Sequence, residues 1–223
     1  MPGLAAVLWD MDGTLVDTEP YWIATEFALA DEYGATWSHD LALQLVGNDL
    51  LESGRFIRDH MDLPLTSEQI VDRLLDGVVA QVEQSVPWRP GAVELLTALR
   101  ADDVPCALVT MSYERFVAPI LAELPPGTFR VVVTGDQVTR GKPDPEPYLS
   151  AARLLGVDPT DCVAIEDSNT GCRSAESAGC TVLAVPNHVQ IDPGVRRIFV
   201  KSLADLSVAD LTAARRGRPN DLA

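Results

Sequence analysis

Short apolar runs, most ending in a polar residue and followed by a helical pattern, constrain this chain more than any other feature. They are Leu4–Asp10 (LAAVLWD), Cys106–Thr110 (CALVT), Phe129–Gly135 (FRVVVTG), Cys162–Asp167 (CVAIED) and Thr181–Pro186 (TVLAVP). Runs of this length without polar alternation suit strands covered on both faces, as inside a parallel sheet. The intervening segments, roughly 92–100, 113–123, 145–155 and 168–178, read as helices. Strand and helix in alternation specify an α/β fold, Rossmann-like, with a mainly parallel central sheet and right-handed crossovers.

One interval breaks the alternation. Between the first and second runs lie about ninety residues with helical patterns only: Trp22–Tyr33, a segment near Asp40–Val46, another near Leu50–His60, and Ser67–Gln84 with Ser67 as its expected cap. Val86-Pro87-Trp88-Arg89-Pro90-Gly91 punctuates the return. The organisation expected is a core of residues 1–16 and 88–223, with an α-helical cap domain, 17–87, inserted after strand one. Trp22, Phe27, Trp37 and Phe56 are expected to pack in the cap or where it meets the core.

The 223 residues carry thirty-three acids against seventeen bases, a net charge of −16. Nucleic acid and anionic membrane surfaces both require a clustered basic face, so neither is an expected partner. Fourteen acids and three bases (Arg55, Arg58 and Arg73) fall within Asp17–Pro87, so this insert alone holds −11. Only two cations are lysines, Lys142 and Lys201. The start, MPGLAAVLWDMDG, has no basic region before its short apolar run, and no stretch approaches the ~18 apolar residues of a membrane span. Cys106, Cys162, Cys172 and Cys180 form no C-x-x-C pair, which fits buried thiols better than disulfides or zinc. A cytoplasmic protein, monomeric or weakly dimeric, is expected.

In an open parallel sheet the active site lies beyond the carboxyl ends of the strands. Strand one ends Asp10-Met11-Asp12-Gly13-Thr14 and strand two ends at Thr110, followed by Met111 and Ser112. Strand three leads into Gly141-Lys142-Pro143, and strand four ends Glu166-Asp167-Ser168. Asp10, Glu166 and Asp167 supply the hard oxygens that Mg²⁺ takes. A carboxylate at position 10 can serve as the nucleophile that forms an aspartyl-phosphate, and Asp12 can act as general acid and base. Lys142 and Thr110 would neutralise the transferring phosphoryl group, with Met111 and Ser112 completing the expected phosphate-binding set. A compact ammonium can pair a carboxylate and a phosphoryl oxygen at once, which explains a lysine in an arginine-biased chain.

Asp10-x-Asp12-Gly-Thr-Leu-Val, Val109-Thr110, Gly141-Lys142-Pro143 and Glu166-Asp167-Ser168, in this order, resemble the four motifs of the haloacid dehalogenase-like (HAD) phosphohydrolases. The resemblance covers nearly the whole chain, including the helical insert after motif one. It implies Asp10 as nucleophile, Asp12 as acid/base, and Thr110 and Lys142 on phosphate. It also implies Mg²⁺ held by the Asp10 carboxylate, the Asp12 backbone carbonyl and Asp167, with Glu166 bound directly or through water.

The stretches 17–22, 141–148 and 156–159 are similar to the branch of sugar-phosphate phosphatases and β-phosphoglucomutases. Trp22 replaces a histidine of the mutases, and Leu50, after Val46-Gly47-Asn48-Asp49, replaces their cap arginine. Both differences favour a phosphatase of a small phosphorylated metabolite. The alternatives are a phosphomutase and a non-catalytic binding protein on the same scaffold. The acidity of the insert disfavours a leaving group with a charge of its own, so a monophosphorylated sugar or polyol is the expected substrate. His39, His60 and His188 are expected to be satisfied or superficial, Ser112 doubles as a possible helix cap, and Asn169 is read as a helix-start residue. Arg215, Arg216 and Arg218 are read as a solvated tail. Lys201 has no assigned role.

Overall fold

The computed structural model describes residues 3–46 and 48–216, so Gly47 and Arg218 lie outside the described residues. The strands are β1 (Ala6–Trp9), β2 (Cys106–Val109), β3 (Val131–Val133), β4 (Cys162–Glu166), β5 (Thr181–Ala184) and β6 (Arg197–Phe199). The helices are α1 (Glu19–Tyr33), α2 (His39–Ala42), α3 (Leu50–Met61), α4 (Ser67–Val82), α5 (Ala92–Ala101), α6 (Glu114–Ala122), α7 (Glu146–Leu155), α8 (Asn169–Ala178) and α9 (Val208–Arg215). The described chain divides into two compact units. One runs to Asp17, resumes over Trp88–Glu114 and continues from Leu124; the other comprises Thr18–Pro87 and Arg115–Glu123.

The first unit is built on a six-stranded sheet in the order β3-β2-β1-β4-β5-β6, with every neighbouring pair parallel. Every residue of β1, β2 and β4 is buried, which is why these segments read as unbroken apolar runs. β1 lies between β2 and β4, and the winding reverses there, so the switch point of the fold falls at the end of β1. Trp9 is in register with both Leu108 and Ile165, and the Asp10 N–H donates to the Ile165 carbonyl at 3.0 Å. That register sets Asp10 level with Glu166, and Thr110 one residue further along.

Two elements lie beyond the sequence expectation. β6 is a three-residue edge strand, Arg-Ile-Phe, with none of its residues fully buried, and so presents no apolar run. α9 takes in Arg215, the first residue of the expected solvated tail. Ser207 and Asp210 form a capping box at its start, and Arg215 pairs with Asp161 with its side chain only 16% exposed. Arg216 is exposed. The four cysteines are free and buried. Among the described residues no helix is long and apolar enough to cross a membrane.

The second unit is helical. Leu29, Ala30, Trp37, Ala42, Ile57 and Ile70 belong to its core, with Trp22, Phe27 and Phe56 partly buried against it. It takes in Arg115–Glu123 besides the expected insert, and the Phe116 ring meets Trp22 edge-on at 5.5 Å. α4 is capped by Thr66, not Ser67: the Thr66 hydroxyl accepts from the Gln69 N–H while the Gln69 side chain accepts from the Thr66 N–H. His60 stacks on Phe56 and bonds its carbonyl through Nδ1 at 2.8 Å, and the exposed His39 tilts against Phe27.

Glu26 is the anomaly of this unit. It is 3% exposed and accepts a 3.0 Å hydrogen bond from the Trp37 indole. Burial pushes its carboxyl up to about 7, against the Trp37 bond and with help from the Glu19 charge. The folded state therefore holds this proton more tightly than the unfolded chain. Stability linked to Glu26 is complete below about pH 4.5 and is lost as the pH rises through about 7. Glu26→Gln keeps an acceptor for Trp37 and removes the titration. Denaturation from pH 4.5 to 7.5 should show the wild type losing on the order of 3 kcal/mol relative to the variant as the pH rises. A wild-type-minus-variant difference that stays flat would contradict the assignment.

Candidate active site

Four carboxylates, an ammonium and four hydroxyls gather at the ends of β1, β2 and β4. Lys142 stands at their centre, on the loop before α7. Its Nζ donates to Asp10 Oδ1 at 2.6 Å and to Glu166 Oε1 at 2.7 Å, and its side chain is 5% exposed. The loop is held in place where the Lys142 N–H donates to the Met111 sulfur at 3.2 Å. Glu166 is wholly buried; its Oε1 also accepts the Tyr148 hydroxyl at 2.5 Å, and its Oε2 accepts Ser168 Oγ at 3.3 Å. Beside this group, Asp12 Oδ2 accepts Ser112 Oγ at 2.7 Å and Thr110 Oγ1 at 3.4 Å. Thr110 Oγ1 in turn accepts from the Ser112 N–H at 2.9 Å.

The local sequence makes room for these side chains. After β1 the chain turns tightly, with the N–H groups of Thr14, Leu15 and Val16 all directed at the Met11 carbonyl. Gly13 takes φ +87°, and a Cβ there would overlap the Asp167 carboxylate. A Cβ at Gly171, in the first turn of α8, would overlap the Glu166 carboxylate. Both glycines leave space that a carboxylate occupies.

The charges are out of balance. Asp10, Glu166 and Asp167 each bring a carboxylate oxygen to within 4.8 Å of the others, all three residues are buried, and Lys142 is the ammonium among them. Burial pushes Asp167 well above the usual carboxylate range, and the Asp10, Glu166 and Asp12 charges add to this. Burial also raises Glu166 to about 6 against the pull of Lys142. Burial alone would lower the Lys142 ammonium, but Asp10 and Glu166 hold it above its ordinary value. Asp10 Oδ2 is buried and has no hydrogen-bond partner among the described residues. An orphaned carboxylate oxygen beside two further buried carboxylates is the donor set of a hard divalent cation, so the residues present fit Mg²⁺.

The structure thus brings Asp10, Lys142, Glu166 and Asp167 into one cluster and sets Asp12 against Thr110 and Ser112. Met111 contributes its sulfur to the Lys142 loop, and Ser112, read as a phosphate-binding residue or a helix cap, bonds Asp12. The Glu114 N–H at the start of α6 is instead met by Asp136 at 3.3 Å. Asn169 pins a loop through the Gln190 carbonyl and the Asp192 N–H. His188, expected to be satisfied or superficial, lies 2.7 Å from Asp17 Oδ1, which also accepts from Asn187; Asn187 in turn accepts from Arg89. Tyr148 escaped sequence reasoning because its neighbours Ala151 and Ala152 share a buried helix face, where a tyrosine reads as core.

Comparisons with known proteins give the family. The chain is 32% identical over 177 residues to "Phosphorylated carbohydrates phosphatase" of Thermotoga maritima, covering 79% of this chain and 82% of that protein. It is also 32% identical over 185 residues to "Bifunctional riboflavin kinase/FMN phosphatase" of Arabidopsis thaliana. That match takes in 82% of this chain but spans only about half, 48%, of the relative's length. Among solved structures, CbbY from Rhodobacter sphaeroides in complex with phosphate superposes with a TM-score of 0.84 at 26% identity, covering 93% of this chain and 99% of that one. The family profile described as haloacid dehalogenase-like hydrolase matches residues 7–185, and the chain belongs to that family.

Proposed function

We propose that this chain is a Mg²⁺-dependent phosphatase of a small phosphomonoester, a sugar or polyol phosphate, working through an aspartyl-phosphate on Asp10. The observation that carries the proposal is the state of Asp10: one oxygen is held by Lys142, and the other is buried with no hydrogen-bond partner among the described residues. A nucleophile needs that arrangement, with its orientation fixed and one lone pair free. The name of the Thermotoga relative supports a carbohydrate leaving group, and the net charge of −11 in residues 17–87, here assigned as the cap, supports one without a charge of its own.

Asp10 Oδ2 attacks phosphorus in line as the bond from phosphorus to the leaving oxygen breaks, and Asp12 delivers a proton to that oxygen. Asp12, now a carboxylate, takes a proton from water as the water oxygen attacks the same phosphorus. The bond to Asp10 then breaks, releasing phosphate and restoring both carboxyl groups. Ser112 and Thr110 hold Asp12 during the two transfers. Lys142 donates to Asp10 Oδ1 and has a third ammonium proton to offer a phosphoryl oxygen. The carboxylates of Asp10 and Asp167, with the Asp12 carbonyl, would hold Mg²⁺, with Glu166 reaching it through water, and the ion would supply positive charge to the transferring group.

A panel of phosphometabolites that includes hexose, polyol and bisphosphorylated substrates, assayed with and without Mg²⁺, tests the reading. Phosphate release from hexose or polyol monophosphates should require Mg²⁺, and with a β-hexose 1-phosphate the product should be free phosphate, not an isomer. Asp10→Asn should lower kcat by at least ~10³-fold; equal release from variant and wild type would sink the mechanism. A clear preference for a bisphosphate would overturn the substrate class. Independently, Mg²⁺ at about a hundred times its Kd should stabilise the wild type by about 2.7 kcal/mol against unfolding. Asp167→Asn should lose most of that gain, and an undiminished gain would remove Asp167 from the metal site.

A further inference from the structure

We infer that Tyr148 is a positioning residue for the phosphoryl-transfer site, setting Lys142 through a hydroxyl clamp on Glu166. Tyr148 is fully buried on α7, and its hydroxyl donates to Glu166 Oε1 at 2.5 Å, the same oxygen that accepts Lys142 Nζ at 2.7 Å. Its ring also faces the ammonium, with Lys142 Nζ 5.2 Å from the ring centroid. One side chain therefore grips both members of the buried ion pair, the carboxylate through its hydroxyl and the ammonium through its π face.

Glu166 has two competing uses. Its oxygens lie within reach of the Asp10 and Asp167 carboxylates, so it can turn towards a cation there, or it can hold Lys142. Two donors on Oε1 and Ser168 on Oε2 commit it to Lys142. At Gly171 the carboxylate occupies the space a Cβ would fill, which fixes where it packs. Without the hydroxyl, Oε1 keeps only the lysine and Glu166 is freer to turn. Lys142 then loses its fixed distance from Asp10 and from the phosphoryl group that Asp10 attacks.

Tyr148→Phe isolates this role, because it keeps the ring, its packing and its contact with the ammonium and removes only the hydroxyl. With saturating Mg²⁺ the variant should lose roughly 10-fold to 100-fold in kcat with little change in KM, the signature of lost alignment in the transition state. The effect should vanish when Glu166 is already changed: in a Glu166→Gln background, Tyr148→Phe should alter kcat less than about 2-fold. A second readout needs no turnover. With only two lysines in the chain, protein labelled with ¹⁵N-lysine has two side-chain ammonium signals. In metal-free protein, Tyr148→Phe should move the Lys142 signal and leave that of Lys201 in place.

The inference rests on the phosphatase reading, but the two fail differently. Wild type that releases no phosphate from any substrate sinks the reading. An unmoved Lys142 signal sinks the clamp, and so does a kcat loss that persists at full size in the Glu166→Gln background. A variant that is merely less stable, with the Lys142 signal and kcat both unchanged, shows Tyr148 to be core packing only and also overturns it.

Discussion

An ammonium sealed from water between two carboxylates is costly to build, because each ion gives up its hydration and recovers it only through close, well-directed partners. Lys142 meets that condition, with Asp10 at 2.6 Å and Glu166 at 2.7 Å. The pair does not close the local balance, since Asp167 is buried in the same cluster. Burial, with the neighbouring carboxylate charges, holds Asp167 well above the usual carboxylate range and raises Glu166 to about 6. A fold that buries three carboxylates around one ammonium is organised for an additional positive charge, and for a phosphoryl group that brings more negative charge with it. The phosphatase reading, the fit to Mg²⁺ and the role inferred for Tyr148 all derive from this imbalance.

The sheet makes the cluster possible. Asp10 and Glu166 belong to adjacent strands in fixed register, so their separation is set by backbone hydrogen bonds and not by flexible loops. Lys142 arrives from the loop before α7, and Tyr148, on the first turns of that helix, fastens it. Gly13 and Gly171 stand where any side chain would displace Asp167 or Glu166. Three chain segments far apart in sequence thus each supply a charged group and also the space or the donor that another group requires.

How much of this was legible in the sequence depended on burial. β1, β2, β4 and β5 could be read because a strand covered on both faces must be apolar throughout, so that Asp10, Thr110 and Glu166 stand out where the apolar runs end. β6 could not, because a short edge strand with none of its residues fully buried leaves no such pattern. The cluster of Asp10, Lys142, Glu166 and Asp167 could be assembled from strand order and residue type. The hydroxyl of Tyr148 could not, because a tyrosine on an apolar helix face is indistinguishable from core until its partner is seen. Nor could the pairing of His188 with Asp17 or of Arg215 with Asp161, since nothing local links residues so distant. Thr66 and Ser67 both satisfy the cap pattern at the start of α4, and only the reciprocal bond with Gln69 separates them.

If Asp10 carries the phosphoryl group in a covalent intermediate, borohydride trapping detects it most directly. An acyl phosphate is reduced by borohydride to an alcohol, so protein quenched during turnover with a sugar phosphate and Mg²⁺ should carry homoserine at position 10. It should carry none when substrate or Mg²⁺ is withheld. Steady release of phosphate with position 10 unmodified, or with the reduced residue found elsewhere in the chain, would contradict it.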